Sequence, residues 1–336
     1  MKAVGYRRPG SIERPDALED FTAEKPSPGD HDLLVRVGAV SVNPVDTKVR
    51  RAVQPDGEWR VLGFDAVGTV ESVGPGVSRF RPGDQVFYAG SIHRPGTNAE
   101  FHLVDERIVG HKPTSISDAE AAALPLTSIT AWEMLFDRLD VRRAPAQGGG
   151  VVLVIGGAGG VGSIALQLLR AETDLTVIAT ASRPETMAWA KECGAHHVVD
   201  HARPLAAQVA SLDLGPPGFV FSTTRTDAHL AQAAELIAPQ GRFGLIDDPP
   251  QLDISVFKRK AVSVHWESMF ARPLFDTPDL AAQGALLDRV AELVDTSRVR
   301  STATDVGGPI SAASLRAAHA KIESGRTRGK IVLQGF

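Results

Sequence analysis

One cysteine, Cys193, occurs in 336 residues. A disulfide within the chain and a cysteine-based zinc cluster are both excluded. Cys193 precedes Gly194 at the end of an expected helix, a setting that suits an inert packed thiol. Ten histidines are present, but none shows the spacing of a metal cluster. No nucleophilic triad is visible. No apolar run approaches the ~20 residues of a membrane span. The start, Met1-Lys-Ala-Val-Gly-Tyr6, lacks the apolar region of a signal peptide, so the expected location is cytoplasmic. There is no basic block, and the formal net charge of −4 makes nucleic acid an unsuitable partner. Internal repeats and low-complexity segments are also missing. What remains, 43% hydrophobic and 23% charged, is an ordinary globular composition, and 336 residues imply two domains.

The positive signal is concentrated in Val151-Val-Leu-Val-Ile-Gly-Gly-Ala-Gly-Gly-Val-Gly162. Five apolar residues break into glycines. Val161, Ile164, Ala165, Leu168 and Leu169 then follow at steps of three and four, which share one helix face. Gly157-x-Gly159-x-x-Gly162 fills the dinucleotide fingerprint in its required strand–turn–helix context. One glycine permits the turn, one lets backbone approach a pyrophosphate, and one lets helix and strand pack closely. The helix start, at Gly160 and Val161, offers unpaired N–H groups and a partial positive charge to phosphates.

The second strand, Leu175 to Ala181, is expected to end beside the adenine ribose. A chain that prefers NAD usually places Asp or Glu there to hold the 2′-hydroxyl. Here Ala181-Ser182-Arg183-Pro184 stands instead. Ser182 can donate a hydrogen bond and Arg183 can pair with a 2′-phosphate, which points to NADPH. The alternative is that Arg183 is a solvated loop residue. His201, after the third strand, either flanks the same phosphate or lies on the surface.

The pattern changes along the chain. Residues 1 to about 125 read as short β segments, including 33–37, 68–73 and 85–88, broken by Gly and Pro, as in a partly closed barrel. Ser117 caps a helix that Pro125 ends, and a second helix runs near Ser128–Leu139. Ala144 to Gly150 is a flexible lead-in. Strands at 151–155, 175–180, 197–199, 218–222, 242–246 and 262–266 then alternate with helices near 160–171, 184–193, 204–211 and 226–238. That alternation predicts an α/β Rossmann domain, a doubly wound parallel sheet covered on both faces. Helices near 278–295 and 311–324 and a strand at 329–333 complete the chain.

Val42-Asn43-Pro44-Val45-Asp46-Thr47, Gly63 to Gly76, Arg81-Pro-Gly-Asp-Gln-Val86, Ala123 to Trp132, the glycine turn and Gly329-Lys-Ile-Val-Leu333 together carry a resemblance over nearly the whole chain. It resembles the zinc-free quinone oxidoreductase branch of the medium-chain dehydrogenase/reductase family. Val264-His-Trp-Glu-Ser-Met-Phe270 narrows the likeness to the subgroup labelled zinc-type alcohol dehydrogenase-like. The resemblance implies a GroES-like β-barrel catalytic domain at 1–126 and 271–336, and a dinucleotide-binding domain at 127–270. It also implies a homodimer joined along the sheet edge near Val262–Trp266.

Zinc-bearing relatives place a cysteine where Asn43 stands and Gly-His-Glu where Gly63-Phe64-Asp65 stands. Phenylalanine cannot ligate, and zinc needs three or four N, S or O donors. The residues corresponding to a structural zinc loop, Ser91 to Asn98, carry no cysteine. Without a metal to stabilise charge on a carbonyl oxygen, a quinone or α,β-unsaturated carbonyl is the better acceptor, because conjugation spreads that charge. The expected catalytic candidates are Asn43, as a donor to substrate, Asp46, orienting Asn43 or a water, and Tyr88, as a proton donor or a core tyrosine. An Asx turn around Pro44 is the alternative reading of Asn43 and Asp46. The expected cofactor contacts are Thr127, Gly157, Gly159, Gly160, Val161, Gly162, Ser182, Arg183, His201, Ser222, Ile246 and Lys330. Thr127 reads otherwise as a helix cap, and Lys330 as a surface lysine. Trp59 and His93 are weaker pocket candidates. Asp247-Asp248 reads as a turn near the carboxamide, and His265 and Glu267 as facing the dimer seam. Two other functions share these features: an alcohol or aldehyde dehydrogenase of the same fold, and a non-enzymatic NADPH-binding protein.

Overall fold

The computed structural model describes residues 1–145 and 148–336, so the centre of the Ala144–Gly150 lead-in lies outside the described residues. The chain divides into two compact units: Met1–Ile129 with Phe270–Phe336, and Thr130–Met269. Its strands are β1 (Lys2–Tyr6), β2 (Glu19–Thr22), β3 (Asp32–Val42), β4 (Arg60–Val61), β5 (Ala66–Val73), β6 (Gln85–Tyr88), β7 (Phe101–Asp105), β8 (Val109–His111), β9 (Val151–Ile155), β10 (Thr176–Thr180), β11 (His197–Val199), β12 (Phe219–Ser222), β13 (Arg242–Leu245), β14 (Ser263–Trp266), β15 (Ala303–Val306) and β16 (Lys330–Gln334). The α-helices are α1 (Pro44–Ala52), α2 (Asp118–Ala122), α3 (Pro125–Trp132), α4 (Gly160–Glu172), α5 (Pro184–Glu192), α6 (Leu205–Ala210), α7 (Thr226–Leu236), α8 (Ala271–Phe275), α9 (Ala282–Asp295) and α10 (Ala312–Glu323).

The first unit is organised by β3. One of its edges is shared between β7, along residues 32–36, and β16, along residues 39–42, while β5 takes the other. Register shifts against β5 at Leu34/Val35 and Val37/Ala39 bend the strand enough to serve all three. The sheet order is β15-β16-β3-β5-β6-β8, with β7 paired to β3. Leu33, Val35, Val70, Val86, Val104 and Leu333 fill its core. Arg50 of α1, fully buried, staples the unit: it donates to His319 Nδ1 at 3.3 Å, to the Gly10 carbonyl at 2.6 Å, and to Glu323 of α10.

The second unit is a six-stranded sheet ordered β11-β10-β9-β12-β13-β14, with every pair parallel. That is the doubly wound dinucleotide-binding order, with its switch point at β9/β12. All five residues of β9 are buried, as a continuous apolar run in a sheet covered on both faces requires.

Pro125 departs from expectation. It opens α3 rather than merely ending the helix before it, because a first helical position needs no N–H. The turn that follows, Glu133–Arg138, is π-helical. Among the described residues no helix is long and apolar enough to cross a membrane.

Candidate functional site

In the second unit the glycine turn is shaped by what would collide with a side chain. Gly156 takes a left-handed φ of 86°, which swings the chain out of β9. A Cβ on Gly157 would come within 2.7 Å of the Ala179 methyl. One on Gly162 would overlap the Gly156 carbonyl oxygen and lie 2.7 Å from Gly157 Cα. Gly159 is open, its nearest neighbour 3.6 Å away, which leaves space for a ligand to meet backbone. Thr180 braces the turn from β10: its carbonyl accepts from Gly157 N and its hydroxyl from Gly156 N, both at 3.0 Å. Gly160 and Val161 begin α4, and no side chain caps its first N–H groups.

Beside this turn, Ala181 is buried and Ser182 and Arg183 are half-buried. Arg183 precedes α5 and has its Nε 2.7 Å from Glu185. His201 Nδ1 lies 3.1 Å from the Thr180 hydroxyl. Burial, opposed by Asp200 and reinforced by the charges of Arg225 and Arg183, pulls the His201 pKa below its ordinary value. Ser222 is buried, its hydroxyl 2.7 Å from that of Thr226. Asp247, just past the half-buried Ile246, accepts from both the backbone N–H and the hydroxyl of Thr226. Thus Asp247 is more than a solvated turn residue: it caps α7 from the neighbouring strand, a role its sequence position did not reveal.

In the first unit a second cluster forms around Asp65. One carboxylate oxygen accepts from Ser41 Oγ at 2.6 Å, Asn43 Nδ2 at 2.8 Å and Lys330 Nζ at 3.0 Å. The other accepts from Leu126 N at 2.7 Å. Lys330 also donates to Asn43 Oδ1 and to the Val42 carbonyl at 3.3 Å. All of Ser41, Asn43, Asp65 and Lys330 are buried. Lys330 is therefore an interior lysine whose three N–H bonds are directed within this unit, and both ends of the Asn43 amide are engaged. Asp46 accepts from Asn43 N at 2.8 Å and Gly63 N at 2.9 Å, which closes a capping box on α1. Burial, only partly offset by those two N–H donors, pushes its pKa up to about 7.

Asn43, Asp46 and Lys330 are thus brought together; Tyr88 is not among them. Its fully buried phenol lies 3.1 Å from His102 Nδ1, while His102 Nε2 lies 2.9 Å from the Pro95 carbonyl. The carbonyl can only accept, so His102 carries its proton on Nε2 and Tyr88 donates to Nδ1. Burial raises the Tyr88 pKa far above the phenol range. Thr127 is buried, its hydroxyl 3.2 Å from the Leu124 carbonyl. Trp59 stacks on Phe21 with centroids 4.3 Å apart, and His93 bonds Ser91 Oγ at 2.8 Å. His265 bonds Ser263 at 3.0 Å on β14, and Glu267 pairs with Arg138 at 2.9 Å. From the sequence alone Asp65 stands out only as a replaced position, and Ser41 not at all. A signal existed in the polar residue that ends the apolar Val61-Leu-Gly-Phe run.

A glycine turn at a sheet switch point, joined in one chain to a β-rich unit with a buried polar cluster, defines a dinucleotide-dependent oxidoreductase. Comparison with known proteins agrees. Residues 29–114 match the alcohol dehydrogenase GroES-like domain and residues 193–333 the zinc-binding dehydrogenase domain. A zinc-type alcohol dehydrogenase-like protein of Staphylococcus aureus (strain MSSA476) is 41% identical over 99% of both chains. A crystal structure of a candidate zinc-dependent alcohol dehydrogenase from Rhizobium etli CFN 42 is 63% identical, with a TM-score of 0.99 over 100% of this chain and 98% of that one. The quinone oxidoreductase of Coxiella burnetii superposes with a TM-score of 0.82 at 25% identity, over 100% of this chain and 99% of that one. The chain belongs to the medium-chain dehydrogenase/reductase family, in its zinc-type alcohol dehydrogenase-like group.

Proposed function

We propose that this protein is an NADPH-dependent reductase of quinones and α,β-unsaturated carbonyls that works without zinc. The observation that carries the reading is the Lys330–Asn43–Asp65 network. At the positions where zinc relatives carry cysteine and histidine, this chain has Asn43 and Phe64. The amide oxygen of Asn43 already accepts from an ammonium group, and Phe64 is a buried ring packed edge-on against Phe270 at 5.2 Å. A zinc ion would have to displace one cation and coordinate a hydrocarbon. The donor set does not fit zinc, despite the names of the relatives. Among the described residues, no group of three or more His, Cys, Asp or Glu side chains is placed to hold a metal.

The residues of the glycine turn do fit a dinucleotide. Gly159 leaves the backbone approachable, and the uncapped start of α4 faces anions favourably. No carboxylate stands at the end of β10, where Ala181, Ser182 and Arg183 follow, and His201 follows β11; this favours a cofactor with a 2′-phosphate. Bound NADPH would supply a hydride. Conjugation in the acceptor then moves the developing charge away from the attacked carbon, so the demand on protein donors is smaller than for a simple ketone. Asn43 is fixed from both ends by Lys330 and Asp65, which makes it a rigid wall rather than a free donor. Asp46, with its raised pKa, fixes the start of α1. Solvent is the proton source in this reading, since the Tyr88 hydroxyl is committed to His102.

The assembly in this reading is a homodimer. Among the described residues β14 pairs with β13 alone, and Trp266 on it is 55% exposed; Ile254 at 49% and Val256 at 41%, in the segment that precedes β14, are also exposed.

The test is NADPH oxidation with a panel of quinones, enals and simple ketones, alongside zinc analysis of the purified protein. Quinones or enals should turn over at least about tenfold faster than ketones, and faster with NADPH than NADH. Turnover confined to simple alcohols and aldehydes, lost on chelation, would replace this reading with alcohol dehydrogenase chemistry.

A further inference from the structure

The loop after β12 carries an arginine in an unusual state. Arg225 precedes α7 with a left-handed backbone, φ 48° and ψ 43°. A residue with a Cβ pays a steric cost in that conformation. The cost is met locally: Asp247 grips the N–H and hydroxyl of the very next residue, Thr226, and Ser222 holds the same hydroxyl. The side chain so positioned is exposed, and among the described residues it forms no ion pair. Its charge nevertheless acts on two half-buried imidazoles, lowering the pKa of both His201 and His229 after the larger effect of burial. Those two rings are 6.0 Å apart, one following β11 and the other on α7. His201 also lies within the field of Arg183. Two arginines and two histidines from three separate segments therefore converge at the carboxyl ends of β10, β11 and β12. The nearby acids are Asp200, Asp227, Asp247 and Glu185. Of these, Asp247 is committed to Thr226, Asp200 accepts from Ala202 N at 2.8 Å, and Glu185 pairs with Arg183.

We propose that Arg225 and His229 form a second wall of the adenosine subsite, closing on the 2′-phosphate from the side opposite Arg183 and His201. This rests on the NADPH reading and adds two specificity-determining residues to it. A phosphate dianion is the chemistry that such a cluster recognises: a guanidinium offers paired N–H donors, and an imidazole protonates readily beside an anion. The left-handed backbone at Arg225 is then the conformational cost of holding an exposed cation at this loop.

The test measures binding of 2′,5′-ADP and 5′-AMP to the full-length protein by calorimetry. The variants are Arg225→Asn, which tolerates the left-handed backbone, His229→Gln and Arg183→Ala. Wild type should prefer 2′,5′-ADP by about tenfold or more, and Arg225→Asn should lose about tenfold in 2′,5′-ADP affinity with 5′-AMP unchanged within about twofold. His229→Gln should show a smaller loss of the same kind. If Arg183→Ala alone abolishes the preference and Arg225→Asn keeps it, the second wall falls and the NADPH reading stands. If Arg225→Asn weakens both nucleotides equally, the residue shapes the loop and does not read the phosphate. If wild type itself shows no preference, the NADPH reading fails first and takes the clamp with it.

Discussion

Glu267 shows how far a single ionisation depends on its surroundings. Its carboxyl is buried, and one oxygen pairs with Arg138. Burial first, and then the neighbouring carboxylate of Glu133, push its pKa well above the ordinary carboxylate range. The native state therefore holds a proton that the unfolded chain has already released. Stability from this group is complete below the ordinary carboxylate pKa, and it is lost progressively as pH rises towards the raised native value. Glu267→Gln keeps the shape and removes the titration. Its melting temperature should be flatter with pH than that of wild type, and higher under alkaline conditions; a parallel pair of melting curves from pH 5 to about 9 would contradict this. Single residues were also where the sequence was least legible. Lys330 and Asn43 are 287 positions apart, and nothing in either motif shows that one is bonded to the other. Residue type announced a cation near the site. Only the fold shows that the cation is an internal one.

At the scale of elements the sequence spoke more clearly. The strands β9 to β14 lie within about a residue of where apolar runs and turn residues put them, because a strand buried on both faces must be apolar throughout. β15 was missed, since Ala303-Thr-Asp-Val306 is an edge strand, half-exposed and without alternation. The glycine turn was legible because steric exclusion leaves few alternatives. Its tightest position is Gly162, where a methyl group would overlap the Gly156 carbonyl. Gly162→Ala should push α4 from β9, with a loss of about 1–3 kcal/mol in denaturant unfolding and a sharp rise in the nucleotide dissociation constant. Gly159→Ala meets no atom closer than 3.6 Å, so it should leave stability nearly unchanged while still weakening the nucleotide. Equal stability losses in the two variants would mean that packing at this turn is not what selects glycine.

For the molecule as a whole, the unpaired side of β14 has the most to say about assembly. An open strand edge with an exposed tryptophan is a liability unless another chain covers it. Trp266→Glu should convert the proposed dimer into a monomer in light scattering at micromolar concentration, with the nucleotide site intact. A wild-type monomer, or an unaffected dimer, would place the interface elsewhere.

The division of the chain has a further consequence for how it is made. The first unit is interrupted after Ile129 and resumes only at Phe270, and its central sheet needs β16 to pair with β3. Its Arg50 staple needs Glu323 as well. During synthesis the nucleotide-binding unit emerges whole and can fold at once, while its predecessor waits with β3 half-unpartnered until the final segment leaves the ribosome. Truncating the carboxyl end should thus spoil a unit that began three hundred residues earlier and spare the one between.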